Sequence, residues 1–433
     1  MDPGKRLGIL VGGGPAPGIN SVIGAAAIRA RLEGVEVVGI QDGFEHLMSG
    51  NHAAARPLSI DDVSRIHFRG GSVLGTSRAN PTTDVSRLER VVRSLSELGV
   101  DRLVTIGGDD TAYSALRVAE TAEETLRVVH VPKTIDNDLD LPHEIDTFGF
   151  QTARHVGADI VRNIMVDAAT TSRWYFVVAM GRKAGHLALG IGKAAGATLT
   201  LIPEEFPADV PLASIVDTLA GSILKRLSLG RRHGVAVLAE GVALSIRESD
   251  LGSLEGVERD EHGHVRIAEI DIGEILKRAV RERLAELGAR VTIVAKNVGY
   301  ELRCADPTPF DMEYTRDLGF CAAEYILRGG SGVMVTMQGD RFVPVELASL
   351  IDENTGRTRI RGVDVASAGY GIARRYMIRL EPRDFSDRRA LERVCSVAGL
   401  EPEEFRARFG HLAEKAPVCD VLGGEAPALG RTP

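Results

Sequence analysis

The chain has 433 residues, 44% of them hydrophobic and 26% charged, which argues against wholesale disorder and leaves room for two or three domains. Fifty-two cationic residues against 60 acidic ones give a net charge of −8, a balance that argues against nucleic acid as a partner. Cys304, Cys321, Cys395 and Cys419 form no CxxC pair, no apolar run reaches the ~18 residues of a membrane span, and Met1–Arg6 shows no signal-peptide core, so reduced thiols and a cytoplasmic protein are expected.

The first apolar run, Leu7–Val11, predicts a strand. Gly12-Gly13-Gly14-Pro15-Ala16-Pro17-Gly18 follows, and an alanine-rich helix runs from Asn20 to about Leu32. Glycines there let backbone approach a phosphate at a helix N-terminus, although a tight structural turn has the same composition. The loop lacks the Gly-Lys-Ser/Thr end of a Walker motif and the spacing of the dinucleotide fingerprint. Val35–Ile40 reads as a buried strand. Gly70-Gly71-Ser72-Val73-Leu74-Gly75-Thr76-Ser77-Arg78 is again glycine-rich and ends in a cation suited to phosphate, or to an ordinary surface turn.

Helix Arg87–Leu98 leads to strand Arg102–Ile106 and then to Gly107-Gly108-Asp109-Asp110-Thr111. Two carboxylates after a buried strand suit a magnesium ion near phosphate, or a helix cap. Strand Arg127–Val131 runs into Pro132-Lys133-Thr134-Ile135-Asp136-Asn137-Asp138. In an extended segment Asp136 and Asp138 project to one side and Lys133 and Ile135 to the other, and a carboxylate in reach of a hydroxyl can act as a general base.

Helix Gln151–Ala168, strand Tyr175–Ala179, helix His186–Ala195 and strand Leu199–Ile202 form a second series. It carries Met180-Gly181-Arg182-Lys183 directly after a strand, with Arg173 just before that strand. Helix Leu212–Leu227, strand Val235–Leu238 with Glu240 at its end, helix Gly273–Leu287, strand Val291–Ala295, helix Asp311–Leu327 and strand Val333–Thr336 complete the pattern. Lys296 to Arg303 includes Tyr300. Arg247–Val265 is polar and predicts an excursion or hairpin, and Glu414–Pro433 a flexible tail. Apolar strands alternating with helices predict parallel sheets covered on both faces, in two sheets with a boundary near residues 145–150.

In this order the glycine-rich loops, TIDND at 134–138 and MGR at 180–182 resemble the phosphofructokinase family, from about Leu7 to about Arg328. The resemblance implies two Rossmann-like three-layer α/β/α domains with mainly parallel sheets. Residues 1–147, with about 305–365, would bind the phosphoryl donor and Mg²⁺. Residues 148–304, with about 366–412, would bind sugar phosphate. ATP-dependent members carry glycine at the positions of Asp110 and Lys133, so this chain looks like the pyrophosphate-dependent branch.

The implied roles follow residue by residue. Asp136 would be the base, Lys133 would neutralise the leaving phosphate, Asp110 would exclude a nucleotide, and Asp109 would hold Mg²⁺. Gly13, Gly14 and Arg78 would bind pyrophosphate. Thr134, Ile135, Asp136, Asp138, Met180, Gly181, Arg182, Glu240, Tyr300 and Arg303 would bind substrate, with Arg182 near the transferred phosphate. Arg173 would serve the site of a neighbouring subunit in a homodimer or homotetramer. Gly24 and Ile28 replace the effector arginines of bacterial ATP enzymes, so no nucleotide activation of that kind is expected. An ATP-dependent kinase and a catalytically silent sugar-phosphate-binding protein are the competing readings.

Overall fold

A computed structural model of the chain describes residues 6–141, 145–252, 270–352 and 358–414. The chain divides into two units. One comprises residues 1–156 and 299–361, the other residues 157–298 and 362–433. Residues 148–156 and 299–304 therefore group with the first unit, and 362–365 with the second, where the expected bounds put them the other way. The first crossing falls inside helix Phe150–Thr171 rather than at a loop before it.

In the first unit, strands β1 (Arg6–Val11), β2 (Glu36–Ile40), β3 (Ala55–Pro57), β4 (Val100–Gly107), β5 (Arg127–Pro132), β10 (Val333–Gln338) and β11 (Arg341–Glu346) form one sheet in the order β11-β10-β5-β4-β1-β2-β3. The pairs among β2, β1, β4, β5 and β10 are parallel, and both edges close antiparallel. Leu7, Ile9, Leu10 and Val11 are all fully buried, because helices cover both faces of a central parallel strand. Helix Ile19–Leu32 packs on helix Pro309–Leu327. Leu10 joins Leu88 and Val91 of helix Val85–Glu97 and Ala112 and Ala115 of helix Asp109–Ala122 in one apolar core.

The strand order reverses between β1 and β4, since β1 runs on to β2 on one side and the chain returns to β4 on the other. A reversal of this kind opens a crevice at the carboxyl ends of the two strands, where α/β sheets bind ligands. The loops after β1, β4 and β5 all leave from that edge.

The second unit holds β6 (Trp174–Ala179), β7 (Leu199–Leu201), β8 (Gly234–Ala239) and β9 (Ile293–Val298), all parallel, in the order β7-β8-β6-β9. The single tryptophan, Trp174, is fully buried and paired in register with Gly234, where any Cβ would stand 2.6 Å from its ring. Filling that space with an indole is worth about 1.5–3 kcal/mol, as for any large apolar side chain withdrawn from water.

Most predicted strands and helices form within a few residues of their expected ends. The helix cap offered as an alternative at Asp110 or Thr111 falls at Gly108 and opens helix Asp109–Ala122, an element not otherwise predicted, and β11 pairs with β10 through a two-residue Gly339-Asp340 turn that the apolar pattern did not mark. Helices Ala368–Tyr376, Arg388–Ala398 and Pro402–Glu414 follow in a stretch for which no elements were predicted. The polar stretch Arg247–Val265 begins as helix Glu248–Gly252, and its remainder lies outside the described residues, as does the expected tail apart from Glu414. Among the described residues no helix is long and apolar enough to cross a membrane.

Candidate active site

The first unit gathers its polar loops at the carboxyl edge of β1, β4 and β5. After β1, Gly13 has φ 80°, a region that glycine enters without strain. Its N–H donates to the Ser77 carbonyl at 2.8 Å, and its own carbonyl accepts from Thr76 Oγ1 at 2.6 Å. These bonds dock the segment ending in Arg78 against the glycine loop, and Arg78 itself is exposed. Gly14 is needed for space. A Cβ there would fall 1.8 Å from Arg303 Nη2, and the Gly14 carbonyl accepts a hydrogen bond from Lys133 Nζ. Two cations thus converge on one turn of bare backbone.

After β4, Gly108 caps helix Asp109–Ala122, so Asp109 and Asp110 are its first two residues. Carboxylates there are favoured by the N–H groups left unpaired at a helix start. Asp109 is half-buried and Asp110 exposed. The turn is braced from below by His130, which is fully buried. Its Nε2 lies 3.0 Å from the Gly107 carbonyl and its Nδ1 2.8 Å from Thr105 Oγ1. A carbonyl only accepts, so Nε2 carries the proton and the Thr105 hydroxyl donates to Nδ1. Burial pushes the His130 pKa down to about 3, with Lys133 adding to the fall, so the imidazole stays neutral at working pH.

After β5, the Lys133 N–H donates to the Gly107 carbonyl at 2.7 Å and continues the parallel register by one step. Burial then alternates residue by residue, although the chain leaves the extended conformation by Asn137, whose φ is 55°. Lys133, Ile135, Asn137 and Leu139 are buried, and Thr134, Asp136, Asp138 and Asp140 half-buried. The Asp136 N–H donates to Thr134 Oγ1 at 3.0 Å. Lys133 is only 4% exposed. Burial, with help from Arg303 and Arg78 and against the pull of Asp136 and Asp109, lowers its pKa from 10.5 to about 8. Those four groups are thereby placed in electrostatic reach of one ammonium. The Arg303 guanidinium also lies 5.5 Å from the ring centre of Tyr300, which is 78% exposed.

The second unit carries its own set. The Met180 N–H donates to the Val298 carbonyl at 3.1 Å, the Glu240 N–H to the Ala179 carbonyl at 2.9 Å, and the Gly241 N–H to the Gly181 carbonyl at 3.1 Å. Loops after β6, β8 and β9 are thereby stitched together, with Gly181 at φ 139°, where a side chain is rarely tolerated. Met180, Gly181, Arg182 and Glu240 therefore stand together at the carboxyl end of this sheet, with Arg182 exposed and Glu240 half-buried. Arg173 does not join them. It precedes β6, and a six-residue strand puts it about 20 Å from Arg182.

Sequence reading missed three contributors in the first unit. His130 looks like any polar residue within an apolar strand, and Asn137 like filler between two aspartates. Arg361 lies in a stretch to which no role had been given. His130 and Arg361 carried no signal in their own neighbourhoods, and Asn137 lay inside TIDND without a role of its own.

Among the described residues no group of three or more His, Cys, Asp or Glu side chains gathers as a metal cage. One carboxylate at a helix start, beside a loop suited to phosphate, is nonetheless the donor set that Mg²⁺ uses when water and substrate oxygens complete its shell.

Comparison with known proteins agrees with the geometry. The family model described as Phosphofructokinase matches residues 6–326. A protein of Thermotoga maritima named pyrophosphate–fructose 6-phosphate 1-phosphotransferase is 53% identical over 415 residues, spanning 95% of this chain and 99% of that protein. One of the same name from Naegleria fowleri is 50% identical over 418 residues, spanning 94% and 96%. The crystal structure of a pyrophosphate-dependent phosphofructokinase from Marinobacter aquaeolei superposes with a TM-score of 0.65 at 18% identity, covering 92% of each chain.

Proposed function

The chain belongs to the phosphofructokinase family, and we propose on that premise that it transfers a phosphoryl group reversibly from pyrophosphate to the C1 hydroxyl of fructose 6-phosphate, yielding fructose 1,6-bisphosphate and phosphate. The observation that carries the donor assignment is the pair Asp110 and Lys133. Lys133 is buried with its ammonium on the Gly14 carbonyl, beside the loop that would receive a phosphate. Asp110 opens the neighbouring helix, where its carboxylate repels the further phosphate of a nucleotide.

The chemistry asks for positioning and charge more than for covalent work by the protein. Asp136 accepts the proton of the C1 hydroxyl as that oxygen attacks the phosphorus and the bond to the bridging oxygen breaks. Lys133 and Arg78 neutralise the departing phosphate, and Gly13 and Gly14 offer backbone to it. Mg²⁺, held by Asp109, would draw charge from the phosphate oxygens. Thr134, Ile135 and Asp138 line the sugar and transferring group. Met180, Gly181 and Arg182 bind substrate, and Glu240 meets sugar hydroxyls. Tyr300 and Arg303 are assigned to the 6-phosphate. In the arrangement described, however, Arg303 rests on Gly14 and adds its charge to the donor side. A cytoplasmic enzyme fits these substrates.

Equal concentrations of pyrophosphate and ATP, offered with fructose 6-phosphate, test the donor directly. Pyrophosphate turns over faster, and Asp110→Gly narrows the gap by admitting some ATP. Faster turnover with ATP in the parent protein overturns the assignment.

Arg173, at the far end of β6 from Arg182, fits the site of a neighbouring subunit better than that of its own chain. Asp136→Ser and Arg173→Ala subunits are each expected to be nearly inactive alone. Co-expressed, they regain about one quarter of parental activity, since half of the dimers are hybrids with one intact site. No recovery in verified hybrids rules out a shared site.

A further inference from the structure

The segment Thr358–Arg361 lies against the loop that carries Asp136. Ile360 forms an isolated antiparallel bridge with Leu139, and the Arg361 N–H donates to the Asp138 carbonyl at 2.8 Å. The Arg361 side chain then enters the turn itself. Its Nη2 donates to Asn137 Oδ1 at 2.6 Å, to the Asn137 carbonyl at 3.2 Å and to the Ile145 carbonyl at 3.0 Å. Three residues earlier, Thr358 Oγ1 lies 3.3 Å from the carbonyl of Asp109. One short strap touches both the base loop and the start of the helix that bears the proposed metal ligand.

Asn137 is the residue that needs holding. It is 5% exposed and sits at φ 55°, a left-handed conformation that asparagine enters more readily than most side-chain residues and that its bonds here hold in place. Its Nδ2 donates to Asp146 Oδ1 at 2.8 Å, and its Oδ1 also accepts from the Thr147 N–H at 2.9 Å. Thr147 Oγ1 in turn donates to the Thr134 carbonyl at 2.7 Å. The turn is thus pinned at Thr134 and at Asn137, on either side of Asp136. Arg361 supplies the donors from outside the loop, and its loss strips the buried Asn137 of the bonds that Arg361 makes to its carbonyl and to its Oδ1.

We propose that Arg361 is a positioning residue for phosphoryl transfer: through Asn137 it fixes the turn that aims the Asp136 carboxylate, and through its own strap it fixes that turn relative to Asp109. The proposal rests on Asp136 being the base. Asp136→Ser tests that separately, since turnover surviving there defeats the reading of the base whatever Arg361 does.

The decisive variants are Arg361→Gln, Arg361→Lys and Asn137→Ala, each assayed per mole of folded protein as judged by its thermal melt. A misaimed reactive group costs rate more than affinity. Arg361→Gln is therefore expected to lower kcat roughly 10–100-fold with KM for both substrates within about threefold, and Arg361→Lys to recover part of the rate. Combined with Asn137→Ala it adds little further loss, because both act on one turn. A kcat within twofold of the parent, or losses that multiply in the double variant, overturns the proposal. If Arg361→Gln does not fold, Arg361→Lys decides alone: full parental kcat refutes the role, and a fall in kcat at constant KM supports it.

Discussion

Asp136→Ser lowers kcat by roughly 10²–10⁴-fold, the usual worth of a placed general base, while fructose 6-phosphate still binds. Serine keeps a short polar side chain in a half-buried position, so the loop has no reason to collapse. The backbone bond from residue 136 to Thr134 Oγ1 and the bonds of Asn137 to its neighbours do not involve the lost carboxylate. Binding measured by calorimetry together with single-turnover rates separates the two effects. Turnover within tenfold of the parent removes Asp136 as the base. Loss of sugar-phosphate binding along with the rate shows instead that the carboxylate serves substrate affinity.

Lys133→Met is expected to act in opposite directions on activity and stability. Methionine fills a similar volume without a charge. Activity with pyrophosphate falls roughly 10²–10³-fold, as when one group that stabilises developing charge is removed. Stability should rise. The folded-state pKa is about 8 against 10.5 for an ordinary lysine, so the folded protein holds this proton less tightly than the unfolded chain does. Below pH 8 the buried charge costs about 3 kcal/mol, and that cost is relieved as pH climbs from 8 to 10.5. Urea unfolding at pH 7 and pH 10 checks the sign: the gain from Lys133→Met is large at pH 7 and shrinks by pH 10. An equal or negative change at pH 7 contradicts it. In the parent enzyme the same pKa gives kcat/KM for pyrophosphate an alkaline fall near pH 8. Bound pyrophosphate raises the lysine's pKa, so the fall in kcat itself lies higher.

Both residues were legible because strand alternation and loop chemistry are local. Lys133, Asp136 and Asp138 follow an apolar strand closely enough for a period of two to say which side each takes, and the burial of 133, 135, 137 and 139 follows that pattern. The glycine loop was legible for the same reason, since missing side chains show directly in sequence. Helix Asp109–Ala122 was hidden because its first turn looks like a polar loop, carboxylates being favoured at a helix start and in turns alike. The place of Arg303 could not be read either. Nothing near it tells that its guanidinium rests over Gly14, because that contact is made by tertiary folding alone. Helix Arg388–Ala398 was legible and missed: its buried Leu391, Val394, Cys395 and Ala398 recur at the i, i+3, i+4, i+7 spacing of an amphipathic helix. The expected split of donor and sugar binding between the two units remains a proposal.

The strap has a consequence for the newborn chain. Asn137 and Arg361 are separated by 224 positions, so the turn that bears Asp136 leaves the ribosome long before its anchor exists. At about 5–20 residues per second the interval is on the order of ten to forty-five seconds. During that time β1, β2, β4 and β5 can already pair, because every strand of that parallel core precedes Asn137. The nascent protein then has a framework without an aimed base. Full catalytic rate is then a late event of synthesis, since the anchor of the base loop follows even the last two strands of the sheet, β10 and β11.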